Sequence, residues 1–168
     1  MLSVLIETKN DEERLARTLA TLIGGVVEGL IRDVIVCDNG SSDQTHRIAD
    51  QTGCNYVTEG GIAAGIRAAK GDWLLIIEPG ARLADGWMNA VIDHIGALPG
   101  PARFSPARAT RQPLLRRVFS KNRPLADGLL ITKRQALALS AKAENAQAMA
   151  RGLSRRRLPA EIWVAQSA

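Results

Sequence analysis

Val34-Ile35-Val36-Cys37 is an apolar run that stops at Asp38-Asn39-Gly40-Ser41-Ser42-Asp43, with Gln44 and Thr45 next. A strand ending in an acid, then glycine and hydroxyl residues, then a helix N-terminus, can hold a nucleotide. The Asp38 carboxylate can accept from a nucleobase N–H or a ribose hydroxyl, and Gly40 lets the backbone approach closely. The plain alternative is a capped strand–turn–helix connection with no ligand. A second group is the arginine set Arg103, Arg108, Arg111, Arg116, Arg117, Arg123 and Arg134, followed by Arg155-Arg156-Arg157. Guanidinium pairs bidentately with phosphate, so these side chains suit a diphosphate, a polyanion or an anionic membrane surface. A solvated basic face explains most of them equally well. His46 and His94 lack paired ligand spacing and read as structural. Gly60, Gly61 and Gly65 are not spaced as the dinucleotide fingerprint.

Elements must position these groups. Leu2 to Glu7 reads as a strand, and Asn10 with Glu13 resembles a capping box for a helix ended by Gly24-Gly25. Val34 to Cys37 is a second strand, and Ser41 with Gln44 is a candidate cap for a helix over Gln44–Gln51. Cys54–Thr58, Asp72–Glu78, Gly128–Thr132 and Ile162–Val164 read as further strands. Gly60–Lys70, a segment capped by Asp85, and Lys133–Gly152 read as helices. The first strands are continuous apolar runs alternating with helices. That pattern predicts a mostly parallel sheet covered on both faces, in an α/β/α three-layer sandwich. Ligands then sit beyond the carboxyl ends of the strands, at Glu7–Lys9, Asp38–Asp43 and Glu78–Gly80. Pro99 to Pro124 holds five prolines and six arginines and reads as a long surface loop, with one short helix at Leu114–Phe119.

The 168 residues suit one domain with one core. At 46% hydrophobic and 23% charged, global disorder is excluded. No apolar run has the roughly 20 residues of a membrane helix, and Met1–Asn10 carries no secretory pattern. Cys37 and Cys54 lack Cys-x-x-Cys spacing, so disulfide and zinc frameworks are not expected and a cytoplasmic setting is. The net charge of +5 conceals a split. Residues 1–98 hold 8 basic and 14 acidic residues, whereas 99–168 hold 14 basic and 3 acidic. This split predicts two different jobs on one domain. Aromatics at 4% do not support a single-strand-binding platform, and no nucleic-acid motif is present.

The string Asp38 to Thr45 closely resembles the "VVDDGSTDGT" signature of family-two glycosyltransferases, enzymes of the GT-A fold. Leu5 to Glu13 is similar to that family's "IPAYNEEE", and Arg14 to Leu19 to its "RLARTL". Ala68 to Ile77 resembles its "AARGDWLLFL", and Asp127 to Arg134 a later "GDQGLFLRR" segment of one bacterial subgroup. Leu158-Pro159 to Ser167 is similar to that subgroup's closing strand.

The resemblance implies a nucleotide-diphosphate sugar donor, an unknown hydroxyl acceptor, and inversion. It implies that Asp38 contacts the nucleobase, with Asn39 and Asp43 supporting the loop; Lys9 and Arg123 are further substrate-binding candidates. It implies that Asp127 is the catalytic base; a cap or an ion pair with Arg123 is the alternative. The family's Asp-x-Asp pair holds a divalent cation, Mg or Mn, against the diphosphate. Here the aligned residues are Glu78-Pro79-Gly80, leaving Glu78 as the metal candidate. With one carboxylate the site is weakened or metal-independent, and an arginine from the Pro99–Pro124 segment could take over. Glu7 and Lys9 replace the family's proline and tyrosine, and the arginine usual near Thr58–Ile62 is absent. Two alternatives therefore remain open. One is a degenerate relative that binds a nucleotide or partner without turnover. The other is a basic module for polyanions or membrane surfaces.

Overall fold

The architecture comes from a computed structural model that describes residues 1–97, 100–107 and 123–166. Strand β1 (Leu2–Thr8) is followed by helices α1 (Glu12–Ala20) and α2 (Ile23–Val27), then β2 (Ile31–Asp38), α3 (Thr45–Gln51) and β3 (Asn55–Val57). Helix α4 (Gly61–Ala68), β4 (Trp73–Ile77), the two-residue β5 (Arg82–Leu83), α5 (Trp87–Ala97) and β6 (Ala102–Pro106) come next. The chain continues through β7 (Leu129–Thr132), α6 (Lys133–Ser140), α7 (Ala146–Ala150) and β8 (Arg156–Trp163). All eight strands form one sheet in the order β3-β2-β1-β4-β7-β6-β8-β5. The first four are mutually parallel, β7 runs against both β4 and β6, β8 runs with β6, and β5 runs against β8. The sheet is thus mixed, with most strands pointing one way, as the apolar runs predict.

Both sheet faces are buried, and the strand period of two sorts side chains between them. Leu2, Val4 and Ile6 of β1 and Leu75 and Ile77 of β4 pack with Leu15, Leu19, Trp87 and Val91 from α1 and α5. Leu5, Leu74 and Ile76 point the other way and pack with Ile62, Ile66, Ala136 and Met149 from α4, α6 and α7. Each such Leu or Ile contributes about 1.5–3 kcal/mol through removal from water. On the second face α4 comes very close to β2. A Cβ placed on Gly65 would lie 2.3 Å from the Cys37 Sγ.

Several local expectations are corrected. Gly24 and Gly25 do not end the first helix; they lie inside α2, and a Cβ on Gly25 would meet Trp87 at 2.9 Å. Neither anticipated cap forms, because Asp11 and Gln44 occupy the N-cap positions without side-chain capping bonds. Part of the Pro99–Pro124 segment is strand β6 rather than loop, stabilised by pairing with β7 and β8. The helix expected at Leu114–Phe119 lies outside the described residues. The Lys133–Gly152 helix is two helices, with Asn145 capping the second through Ala148 N. The closing strand extends back from Trp163 to Arg156. Among the described residues, no helix is long and apolar enough to cross a membrane.

Candidate functional site

The carboxyl ends of β1, β2 and β4 lie side by side, because β1 is hydrogen-bonded to both neighbours. Two loops leave these ends and lock together. Asn10 takes a left-handed φ of 54°, and its Oδ1 accepts from Ser42 N at 2.7 Å while its own N–H donates to Ser41 Oγ at 2.8 Å. Asp43 accepts from Glu12 N, and Glu12 in return accepts from Gln44 N at 2.8 Å. Asp43 also accepts from the Thr45 N–H and hydroxyl at the start of α3. Burial opposes ionisation of Asp43, but the bonds from Thr45 and Glu12 outweigh it and hold the carboxyl below its ordinary range.

Asp38 is 5% exposed. Its Oδ2 accepts from the backbone of Gly40 at 3.1 Å and of Ser41 at 2.8 Å, and its Oδ1 accepts from the Ser41 hydroxyl. The Tyr56 hydroxyl, on the neighbouring β3, lies close enough to favour the ionised carboxylate as well. Burial pushes Asp38 up, yet Ser41, Tyr56 and Gly40 together bring it below the usual carboxylate range. Tyr56 shows the converse. Burial first, then the bond to Asp38 and the nearby carboxylates, push its phenol up to about 12. The Asp38 carboxylate is thus engaged with its own turn. Asn39, Gly40 and Lys9 are among the exposed groups at this edge, with Asn10 and Ser42.

At the end of β4, Glu78 is buried at 7% exposure. Arg123 forks onto it: Nε donates to Oε1 at 3.2 Å and a terminal nitrogen donates to Oε2. Gln147 also donates to Oε1. The same guanidinium donates to the Ala165 carbonyl at 2.7 Å. Gly80 has φ of 93°, and a Cβ there would lie 3.2 Å from both Ala165 Cβ and Arg14 Nε. Arg14 is anchored between Asp11, at 3.0 Å, and the Gln166 carbonyl, at 3.2 Å. A divalent cation needs several oxygen ligands. Both Glu78 oxygens are occupied, position 80 offers none, and the described residues hold no cluster of three acidic, histidine or cysteine ligands. As arranged, this donor set does not fit the cation.

Asp127 stands beside the same strand end. β7 pairs antiparallel with β4, with Ile76 opposite Leu129, so the residues just before Leu129 face the end of β4. A Cβ on Gly128 would touch Ile77 at 3.3 Å and Phe104 at 3.4 Å. Asp127 pairs with Arg103 of β6. Arg155 donates to the Gly128 carbonyl at 3.2 Å. Burial and the adjacent Arg103 charge push Arg155 down, while Asp127 opposes them. Two guanidiniums therefore crowd one carboxylate.

The structure brings Glu78, Arg123 and Asp127 to one strand end, and Asp38, Asn39, Asp43 and Lys9 to the neighbouring loops. Arg123 pairs with Glu78 and not with Asp127. Sequence reasoning missed Gln147 and Tyr56. Gln147 lies 69 positions from the carboxylate it touches, and no local pattern marks it. Tyr56 is partly legible, since it is the chain's one tyrosine and sits on the strand beside Asp38.

Comparison with known proteins places this geometry. The sequence signature described as Glycosyl transferase family 2 matches residues 3–102. No curated protein matches the chain by sequence. Glucosyl-3-phosphoglycerate synthase from Mycobacterium tuberculosis, in complex with Mn2+, UDP and glucosyl-3-phosphoglycerate, superposes at a TM-score of 0.63. It is 15% identical, over 100% of this chain and 72% of that one. The same enzyme with Mg2+ and UDP gives 0.64 at 15% identity, with the same coverage. Mannosyl-3-phosphoglycerate synthase from Rubrobacter xylanophilus gives 0.60 at 15% identity, over 80% of this chain and 54% of that one. At these identities the likeness shows the fold, which is GT-A-like.

Proposed function

The chain belongs to glycosyl transferase family 2, and from that premise we propose that it moves a sugar from a nucleoside-diphosphate donor to a hydroxyl acceptor with inversion. The observation that carries this reading is the placement of Asp127 opposite the end of β4, beside the strand that carries Glu78 and its Arg123 partner. One strand end thus offers both a proton acceptor and a positive charge. Asp127 would take the proton from the acceptor hydroxyl as its oxygen attacks the anomeric carbon. The bond from that carbon to the diphosphate breaks, and its electron pair stays with the phosphate oxygen, where positive charge stabilises it.

On this reading Asp38 and Asp43 build the nucleotide wall and Asn39, Gly40 and Lys9 line it. Asp38 holds its turn through Ser41 and Gly40, and Asn10 clamps that turn to the first loop. Arg103 and Arg155 exceed the charge of Asp127, which favours an acceptor that carries an anion. The phosphoglyceric acid bound in one structural neighbour is a molecule of that class. A second reading, binding of the nucleotide without turnover, is favoured by the engagement of both Glu78 oxygens.

One assay separates the readings. Radiolabelled UDP-glucose or GDP-mannose is incubated with 3-phosphoglycerate and the wild-type chain, and glycosylated product is sought. Product that disappears in Asp127→Asn, with nucleotide binding retained, supports transfer. Nucleotide binding without product from either donor supports the second reading.

A further inference from the structure

We infer that Arg123, fixed by the Ala165 carbonyl and by a Glu78 carboxylate that Gln147 also holds, stands at the donor diphosphate in the place of a divalent cation, so that donor binding needs no metal. The inference rests on the donor reading above. Three observations carry it.

The first is the fork on Glu78. A carboxylate at 7% exposure requires a partner, and here the partner is a guanidinium with two bonds to it. Removing one member of such a pair leaves a buried charge uncompensated. A cation arriving at Glu78 would have either to evict Arg123 or to share one carboxylate with it, placing two positive groups there.

The second is position 80. Its φ of 93° disfavours any side chain, and the space a Cβ would enter is bounded by Ala165 and Arg14, each at 3.2 Å. A second carboxylate is therefore missing from a place that cannot accept one without moving the 165–166 segment and Arg14.

The third is rigidity. Arg123 is held by Glu78 at the end of β4 and by the Ala165 carbonyl, and Gln147 of α7 in turn holds the Glu78 carboxylate. A positive charge fixed before the reaction needs no reorganisation when the leaving diphosphate gains negative charge. Guanidinium also matches phosphate geometry and stays ionised at all working pH values. Arg14, anchored by Asp11 and Gln166 beside Gly80, adds a second positive group at the same edge.

The test is calorimetric titration of the full chain with UDP and with GDP, once in EDTA and once in MnCl2, together with a Mn2+ titration of the chain alone read by electron paramagnetic resonance. The expected result is a nucleotide affinity that agrees within about twofold between EDTA and Mn2+, and no stoichiometric Mn2+ on the chain alone. Arg123→Lys, which keeps the charge and loses the fork, should weaken the nucleotide about tenfold with the melting transition still cooperative. Gly80→Asp should not create a Mn2+ site. Loss of more than about tenfold of affinity in EDTA overturns the inference. So does tight Mn2+ binding to the chain alone that Glu78→Gln removes; this readout requires no nucleotide. Absence of binding by either nucleotide under both conditions overturns the transferase reading itself, and the inference with it.

Discussion

Tyr56 is the one tyrosine in the chain, so its ionisation can be followed by tyrosinate absorbance without a second phenol. Its folded pKa is pushed up to about 12 from an ordinary 10.0, by burial and then by the bond and charge of Asp38. A group raised in this way contributes stability that is complete below its unfolded pKa and is lost as pH rises through the folded one. The folded chain should therefore titrate well above 10, and Asp38→Asn should lower that midpoint while burial keeps it above the unfolded value. A midpoint that Asp38→Asn leaves unaltered would show that Asp38 does not act on the Tyr56 phenol. Asp38 behaves oppositely. Its folded pKa is depressed by Ser41, Tyr56 and Gly40 against the effect of burial, so its contribution is present above the unfolded pKa and lost as pH falls through the folded one. Acid unfolding of wild type should accordingly include a proton uptake below about pH 4 that Asp38→Asn lacks, measured by comparing midpoints at pH 3 and 6. At this scale the sequence was informative about residue types. Asp38 stands out by its strand–turn–helix context, Glu78 and Asp127 by the family resemblance of the stretches around them, and Arg123 as one of the arginines of a Pro/Arg-rich segment. Their partners Gln147, Arg103 and Tyr56 are set by tertiary proximity, which carries no local pattern.

Elements are legible where their own residues decide them. Trp73–Ile77 and Leu2–Thr8 are apolar runs long enough to be buried on both faces, and both are strands. Elements decided by a partner are not. The two residues of β5 are a strand because Ala84 N, Arg82 and Leu83 meet β8, and β6 exists because Ala102 and Arg103 find β7 and β8. The expected caps failed for a related reason, since Asn10 and Ser41 bond to each other's loops and not to the first turns of their own helices. The α4–β2 contact makes a prediction at this scale. Gly65 permits the helix to approach Cys37 so closely that a methyl group would lie 2.3 Å from the sulfur. Gly65→Ala should destabilise the fold by about 1–3 kcal/mol through overpacking, in spite of alanine's better helix propensity. Denaturant midpoints measure it. The double variant Gly65→Ala with Cys37→Ala, which removes the obstructing sulfur, should recover part of the loss. An unaltered midpoint in Gly65→Ala would show a looser helix–sheet contact than the structure has.

The charge split of the whole chain has a structural counterpart in the sheet. The acidic half supplies β1 to β5 and the basic half supplies β6 to β8, yet the sheet order interleaves them. β4 of the first half pairs with β7 of the second over Trp73–Ile76, and β5 crosses back to form the edge beyond β8. Glu78 from the acidic half meets Arg123 and Gln147 from the basic half at the same seam, and Arg82 lies over the Trp163 ring at 5.5 Å. Neither half can bury its sheet faces alone, so the chain should unfold as one cooperative unit. Its tryptophans allow a direct check. Trp73 and Trp87 are buried in the first half, and Trp163, at 37% exposure, belongs to the second. Trp163→Phe removes the only indole of the second half and keeps an aromatic ring near Arg82. Its fluorescence then reports the first half alone, while far-ultraviolet circular dichroism reports every strand and helix. The two urea curves of this variant should coincide in midpoint and slope. A fluorescence transition separated from the circular dichroism transition would divide the molecule at the β4–β7 seam, and Glu78 with Arg123 would then join two independently folding parts.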